Sequence, residues 1–462
     1  MTAIDKMAGL AAAMGPQAAF AVGLALVVMA GFSRARSRMS RLLGVLTLLG
    51  GAVLVLSCGR TSAGPGALFA RDGFSIAWQL LFYVGALPLA LLGAAEAEAP
   101  VLLYLGSALG MGIIALSRNL LMLFIGLELM SIPAYLLVSG LGRRGKASTE
   151  AALKYFFCGG AAGALFLLGI ALYYARMKTL GFAPGAVRPI DPILNAALAL
   201  MGTAALFKIG AVPLHFWLPD VYEASPPELA GFFSTALKAA AVLLLMRVVS
   251  IAPASSLARA LPWVGALTMF FGATLALGQK SLQRLLSYSS IAHAGNIILG
   301  VGAWAALGAD PSAAYAIFFY LAAYLFMNNG AFSFLAVSGL KTREELKGFA
   351  KGSPALAGLF AVFMLALGGA PPTAGFLAKL LIFWEALKAG LYVPVAVALL
   401  SALIALVYYL ALVRDAYFEE GASASAPGSS IGRAVLWACA APSAALGLFP
   451  IVLGPIQRLL GL

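Results

Sequence analysis

Runs of eighteen or more apolar residues, separated by short charged connectors, follow one another along almost the whole chain. At 1.5 Å rise per residue, a helix of about 20 such residues crosses the roughly 30 Å hydrocarbon core of a bilayer. Fourteen runs meet that length, near 12–32, 41–58, 74–93, 99–117, 119–141, 149–175, 193–215, 229–250, 262–279, 284–304, 311–338, 354–388 (interrupted), 391–418 and 432–453. No ten-residue alternation of the kind that builds a barrel occurs. Only 10% of the residues are charged, against 62% hydrophobic, and mean hydropathy is +0.98, far too apolar for a soluble surface. The fold class is therefore all-α, a polytopic membrane protein of about fourteen transmembrane helices.

The connectors are short, which leaves no room for a soluble domain. The longest are Arg176 to Pro192 and the Ser/Gly/Ala tract "EEGASASAPGSS" at 419–430, which reads as flexible linker. The first run follows only Asp5 and Lys6 as charges and lacks a cleavage pattern, so it is expected to be retained. With an external N-terminus, the two densest basic clusters, "RARSRMSR" (Arg34 to Arg41) and "KTREELKGFAK" (Lys341 to Lys351), both fall on the cytoplasmic side. The net charge of +13 then reads as topology signal and contact with lipid headgroups. Nucleic acid is not an expected partner, because no basic face is large enough to follow a phosphate backbone. Cys58, Cys158 and Cys439 sit far apart within apolar runs and fall short of the about four thiolates an iron–sulfur cluster needs. His215 and His293, the two histidines, show no sign of sharing a depth at which they could ligate a haem.

Ionisable residues at membrane depth carry the functional signal. Glu128, Lys154, Lys208, Lys238 and Lys379 stand inside runs. A central charge costs about 2.5–3.5 kcal/mol on insertion scales, so five facing lipid independently would cost on the order of 12–18 kcal/mol. Lys154 lies about one turn into its run after Glu150 and is placed to snorkel to the interface. The other four have no such escape, and one carboxylate against three lysines leaves charge that a purely structural network would avoid. Lysine suits proton handling in such a setting: burial disfavours the ammonium, and a nearby carboxylate restores it. Arginine would stay protonated throughout.

Two of these lysines stand beside proline breaks. "FKIGAVPLHFWLPD" (207–220) places Lys208 five residues before Pro213, and "LALGGAPPTAGFLAK" (365–379) places Lys379 just beyond Pro371 and Pro372. Superposing Pro213 on Pro372 gives an offset of about 159 residues. Similar offsets align "NLLMLFIGLELMS" with "SLQRLLSYSSIAH", pairing Glu128 with Ser290, and "KYFFCGGAAGAL" with "IFFYLAAYLFMN", pairing Tyr155 with Phe318. Two five-helix repeats follow, over 99–250 and 262–420, preceded by three helices in 1–98 and followed by one in 431–462. Five is odd, so the second repeat is inverted in the membrane, with the discontinuous helices lining a wet, titratable region at mid-depth.

"ALFKIGAVPLHFWLPDVYEASPPELAGFFSTALKAA", "LQRLLSYSSIAHAG", "GLELMSIPAYLL" and "GGAPPTAGFLAK" together resemble the antiporter-like proton-pumping subunits of respiratory complex I, over roughly residues 110–420. The resemblance implies fourteen core helices with two inverted five-helix units. It assigns Glu128 as the coupling glutamate of the fifth helix, Lys208 as the lysine of the broken seventh, Lys238 as the central lysine of the eighth and Lys379 as that of the broken twelfth. His293 falls where the family places polar residues near the axis, and it and Lys154 are further relay candidates.

Within the family, Lys379 sets the chain apart from the branch with glutamate at that position, and an end at "PIQRLLGL" leaves no room for the long lateral helix of another branch. Where the family often has a Pro-Thr-Pro-type sequence, this chain reads "ASPPELAG", which makes Glu228 unusual. The implied function is proton translocation by a membrane subunit of a quinone-linked NADH-quinone oxidoreductase in the bacterial inner membrane, an enzyme only as part of that translocase. No cofactor is expected in this chain: NAD, FMN, iron–sulfur clusters and quinone belong to partner subunits. Expected partners are other antiporter-like and small membrane subunits and the lipid bilayer. The alternatives are a subunit of a multisubunit Na⁺/H⁺ antiporter, or a stand-alone secondary transporter of a small solute.

Overall fold

A computed structural model describes residues 14–32, 36–58, 60, 68–93, 98–141, 146–181, 191–421 and 429–448. Asp5 and Lys6, Arg34, most of 176–192, most of the Ser/Gly/Ala tract and the terminal "PIQRLLGL" lie outside them. The described elements are helices: α1 (Gly15–Ala30), α2 (Arg36–Ser57), α3 (Gly73–Leu92), α4 (Glu98–Leu116), α5 (Leu120–Leu141), α6 (Lys146–Met177), α7 (Pro192–Ile209), α8 (Trp217–Ala224) and α9 (Pro227–Ile251). After them come α10 (Ser256–Leu277), α11 (Leu282–Ala306), α12 (Pro311–Ser338), α13 (Pro354–Gly368), α14 (Ala374–Lys388), α15 (Tyr392–Tyr417) and α16 (Ser430–Leu448). Every one of the fourteen expected runs coincides with a helical stretch, and among the described residues ten helices are long and apolar enough to cross a membrane.

Helix is the only economical answer to these sequences, since hydrocarbon offers no partner for an open backbone group. Burial sorts the helices by neighbour. Only 28% of the apolar window of α2 is buried, with Val53 and Leu56 turned outward, as lipid contact requires; that of α9 is buried along its whole length.

The chain clusters into two compact units. One comprises the residues up to Lys208 together with Ala236–Ala258; the other comprises Ile209–Thr235 and the residues from Arg259 onward. In the first unit Asp72 caps α3 by accepting from the Ser75 amide at 2.7 Å and pairs with Arg118, while Arg247 of α9 donates to the Ala115 carbonyl at 3.1 Å. In the second, Arg284 of α11 reaches Asp220 and Glu223 of α8 at 3.2 and 2.9 Å, and Arg343 holds Asp415 of α15 at 2.6 Å.

Three details differ from the sequence reading. The run at 193–215 is not one helix: α7 stops at Ile209, and the chain turns before resuming as α8. Gly210 accomplishes the turn at φ +84°, a conformation that costs only glycine little, and the Val212 amide, freed by the break, donates to Thr268 Oγ1 of α10 at 3.0 Å. Next, α9 contains one π turn at Phe233–Leu237, immediately before Lys238, with no proline or glycine within it to mark it in the sequence. Finally, α6 begins at Lys146, so Lys154 stands about two turns into its helix, not one.

Candidate functional site

Lys208 occupies the last turn of α7 and is only 7% exposed. Its ammonium donates to the Tyr135 hydroxyl of α5 at 2.6 Å and lies 4.6 and 5.1 Å from the ring centroids of Tyr135 and Tyr155. The two rings meet edge to face, and both lie within cation–π distance of the ammonium. Glu128, two turns before Tyr135 on α5, interacts electrostatically with Lys208 but makes no ion pair with it among the described residues. α6 accommodates both α5 side chains by withholding its own. A Cβ at Gly159 would lie 2.0 Å from the Tyr135 hydroxyl, and one at Gly163 would lie 2.5 Å from Glu128 Oε1. Gly159 and Gly163 are four apart, on one face of the helix.

Lys238, 1% exposed, follows the π turn of α9 directly. Such single wide turns recur at functional positions, because they re-aim the side chains that follow. Lys154 stands apart from this arrangement. It pairs with Glu150 at 2.7 Å, and both side chains are well exposed on the outer face of α6 beside Leu153 and Phe157.

In the second unit, Lys379 of α14 reaches back across the double-proline break. Its ammonium donates to the carbonyls of Leu367 and Gly368, at 3.0 and 2.8 Å, at the end of α13. Those carbonyls have no partner within their own helix, and they form its negative pole, so the cation there is held without any carboxylate. Gly369, at φ +82°, turns the chain while leaving room for the lysine stem. His293 of α11, 4% exposed, bonds through Nδ1 to the Tyr320 hydroxyl at 2.7 Å and through Nε2 to that of Tyr409 at 3.3 Å. Tyr409 continues to Ser289, one turn before His293. His293 and Lys379 line one small cavity.

The structure thus gathers Glu128 with Lys208, and His293 with Lys379, and leaves Lys154 on an outer face. Sequence reasoning missed Tyr135, Tyr155, Gly159, Gly163, Tyr320 and Tyr409; a lone tyrosine or glycine in an apolar helix carries no signal of its own. Glu228, unusual in sequence, is buried in the first turn of α9, where the helix dipole favours a carboxylate. Among the described residues no three His, Cys, Asp or Glu side chains gather as a metal site would require.

The family model "NADH:quinone oxidoreductase/Mrp antiporter, TM" matches residues 117–405. NADH-quinone oxidoreductase subunit N of Paramagnetospirillum magneticum is 34% identical over 430 residues, covering 86% of each chain. Subunit N 1 of Koribacter versatilis is 36% identical over 409 residues, 82% of this chain and 79% of that one. A chain of respiratory complex I from Thermus thermophilus superposes with a TM-score of 0.85 at 34% identity, over 95% of this chain and 98% of that one. A chain of the Mrp complex from Dietzia sp. superposes at 0.86 but is 22% identical, over 98% and 97%, and speaks to fold alone.

Proposed function

Since the chain belongs to the subunit N family of NADH-quinone oxidoreductases, we propose that the half-buried Glu128 and the buried Lys208, Lys238, Lys379 and His293 carry the protons it translocates. It works as a multi-pass subunit in the bacterial inner membrane, beside other membrane subunits, in a complex whose partner chains bind NAD, FMN, iron–sulfur clusters and quinone. The Lys208 arrangement supports this reading best. An ammonium held by a phenol and two ring faces, with a carboxylate near but not bonded, is poised between holding and releasing its proton. A salt bridge would lock it instead. Movement of negative charge toward or away from Glu128 would shift that balance, which is how quinone chemistry elsewhere in the complex would be felt here.

Lys379 plays the corresponding part in the second unit, with helix-end carbonyls in place of a carboxylate. The proposal includes two inverted five-helix repeats, 99–250 and 262–420. Supporting it, Gly210 and Gly369 share a left-handed φ at the two breaks, in the register that superposes Pro213 on Pro372. Lys154 enters the relay only as an outer member. Co-isolation tests the assignment to a complex: the tagged chain should bring down further membrane subunits and iron–sulfur proteins together. Solute transport by the lone chain in liposomes would support a self-sufficient transporter instead.

A further inference from the structure

Four cations of the second unit line one cavity of about 510 Å³: Lys280 just beyond α10, Arg343 and Lys347 in the segment before α13, and Arg414 in the last turn of α15. That volume lies within the roughly 300–1,000 Å³ of ligand clefts. Backbone bonds hold the walls in place. The Arg343 amide donates to the Lys280 carbonyl at 3.1 Å, and the Gly348 amide to that of Asp415 at 3.1 Å. Three carboxylates share the cavity, and each is engaged. Asp415, 1% exposed, holds Arg343 at 2.6 Å and Arg414 at 3.0 Å; Glu419 meets Arg414 at 3.4 Å, and Glu344 meets Lys347 at 2.7 Å. Lys280, exposed, pairs with no carboxylate among the described residues. Four positive charges against three negative leave one in excess. The cavity lies at the face that the basic cluster 341–351 marks as cytoplasmic, where the leaflet carries anionic lipids.

α15 adds a second constraint on what the cavity takes. Leu400, Leu403, Val407 and Leu410 are exposed at intervals of three and four, so they form one apolar stripe along the helix. The next positions on that face are Arg414 and then Phe418, which is 82% exposed. We propose that this cavity binds the phosphodiester of an anionic phospholipid, with its acyl chains laid along the α15 stripe. One phosphodiester carries the single negative charge that balances the excess, and its oxygens accept from guanidinium and ammonium together. A free phosphate would meet the charge and leave the stripe uncovered. The bound lipid ties α10, the 341–348 segment and α15 together at one end of the second unit.

The test uses the whole complex in phosphatidylcholine vesicles carrying a trace of photoactivatable lipid, with the label mapped on residues 400–418. Phosphatidylglycerol should label this stretch roughly tenfold or more above phosphatidylcholine, whose headgroup has no net charge. Lys280→Gln combined with Arg414→Gln removes two cations, leaves Asp415 held by Arg343 and touches no proposed proton carrier. In that variant the preference should fall to within about twofold of unity, whereas Arg414→Lys, which keeps the charge, should retain most of it. Equal preference in parent and double variant would overturn the site. So would its erasure by inorganic phosphate but not by chloride at equal ionic strength, since the occupant would then be a soluble phosphate. Should the double variant fail to assemble, a structure of the parent complex in nanodiscs of both lipids decides. Phosphate density about 3 Å from side-chain nitrogens of Lys280 and Arg414 supports the site; a partner subunit's segment in the cavity, or a cavity without lipid, overturns it.

Discussion

At the scale of single residues, two helical glycines bear on the chemistry as directly as the charges do. Gly163 gives the Glu128 carboxylate its place, and the methyl of Gly163→Ala would fall 2.5 Å from Oε1. The long side chain would swing aside without disturbing the fold, and its influence on Lys208 would weaken. A loss of about 1.4 kcal/mol of that interaction corresponds to a tenfold change, so coupled turnover should fall by roughly tenfold. Glu128→Gln should show the same fall with full assembly, since size and hydrogen bonding are nearly kept. Normal quinone reduction with normal pumping in the glutamine variant would remove Glu128 from the relay. Lys154 should behave otherwise. Its pair with Glu150 is exposed, and such pairs contribute about 0–1 kcal/mol. Lys154→Met should therefore keep most of the pumping that Lys208→Met loses, and equal losses in vesicle assays would contradict its outer placement.

At the scale of elements, each interrupted span needs a device for the backbone groups it frees. α7 hands the Val212 amide to Thr268, a fully buried hydroxyl on α10; α13 hands its last carbonyls to Lys379. Thr268→Val is nearly isosteric and would leave that amide unpaired, at a cost of about 1–3 kcal/mol. The expected outcome is a complex that assembles in lower yield and dissociates at lower temperature; unchanged thermal stability would show that another group serves the amide. The breaks themselves were legible in the sequence, because proline beside lysine inside an apolar run has few other meanings. The exact end of α7 was not, since Ile209 to Val212 is apolar enough to continue a helix and only Gly210 gives it away. The π turn of α9 left no trace, as "FSTAL" suits either winding. The depth of Lys154 was misjudged for a related reason: the polar start "KAST" is as acceptable inside a helix as before one.

At the scale of the molecule, apolar length alone set the count of spans, because hydrocarbon admits nothing but satisfied helices. Site membership was legible wherever a charge sat in oil, as with Glu128, Lys208, Lys238 and Lys379. The residues packed around the site were not, because Tyr135 and Tyr155 beside Lys208, and Tyr320 and Tyr409 beside His293, acquire their roles only when helices distant in sequence pack together. The central claim is that the buried lysines release protons and do not merely anchor helices, and Lys379 tests it most cleanly. Its ammonium is held by two carbonyls, which arginine would satisfy equally well while keeping the charge. Arginine does not give up its proton. The decisive measurement is the number of protons translocated per quinone reduced in vesicles carrying Lys379→Arg, with complex yield measured alongside. The account predicts parental yield with pumping as low as in Lys379→Ala; full pumping by the arginine variant would contradict it.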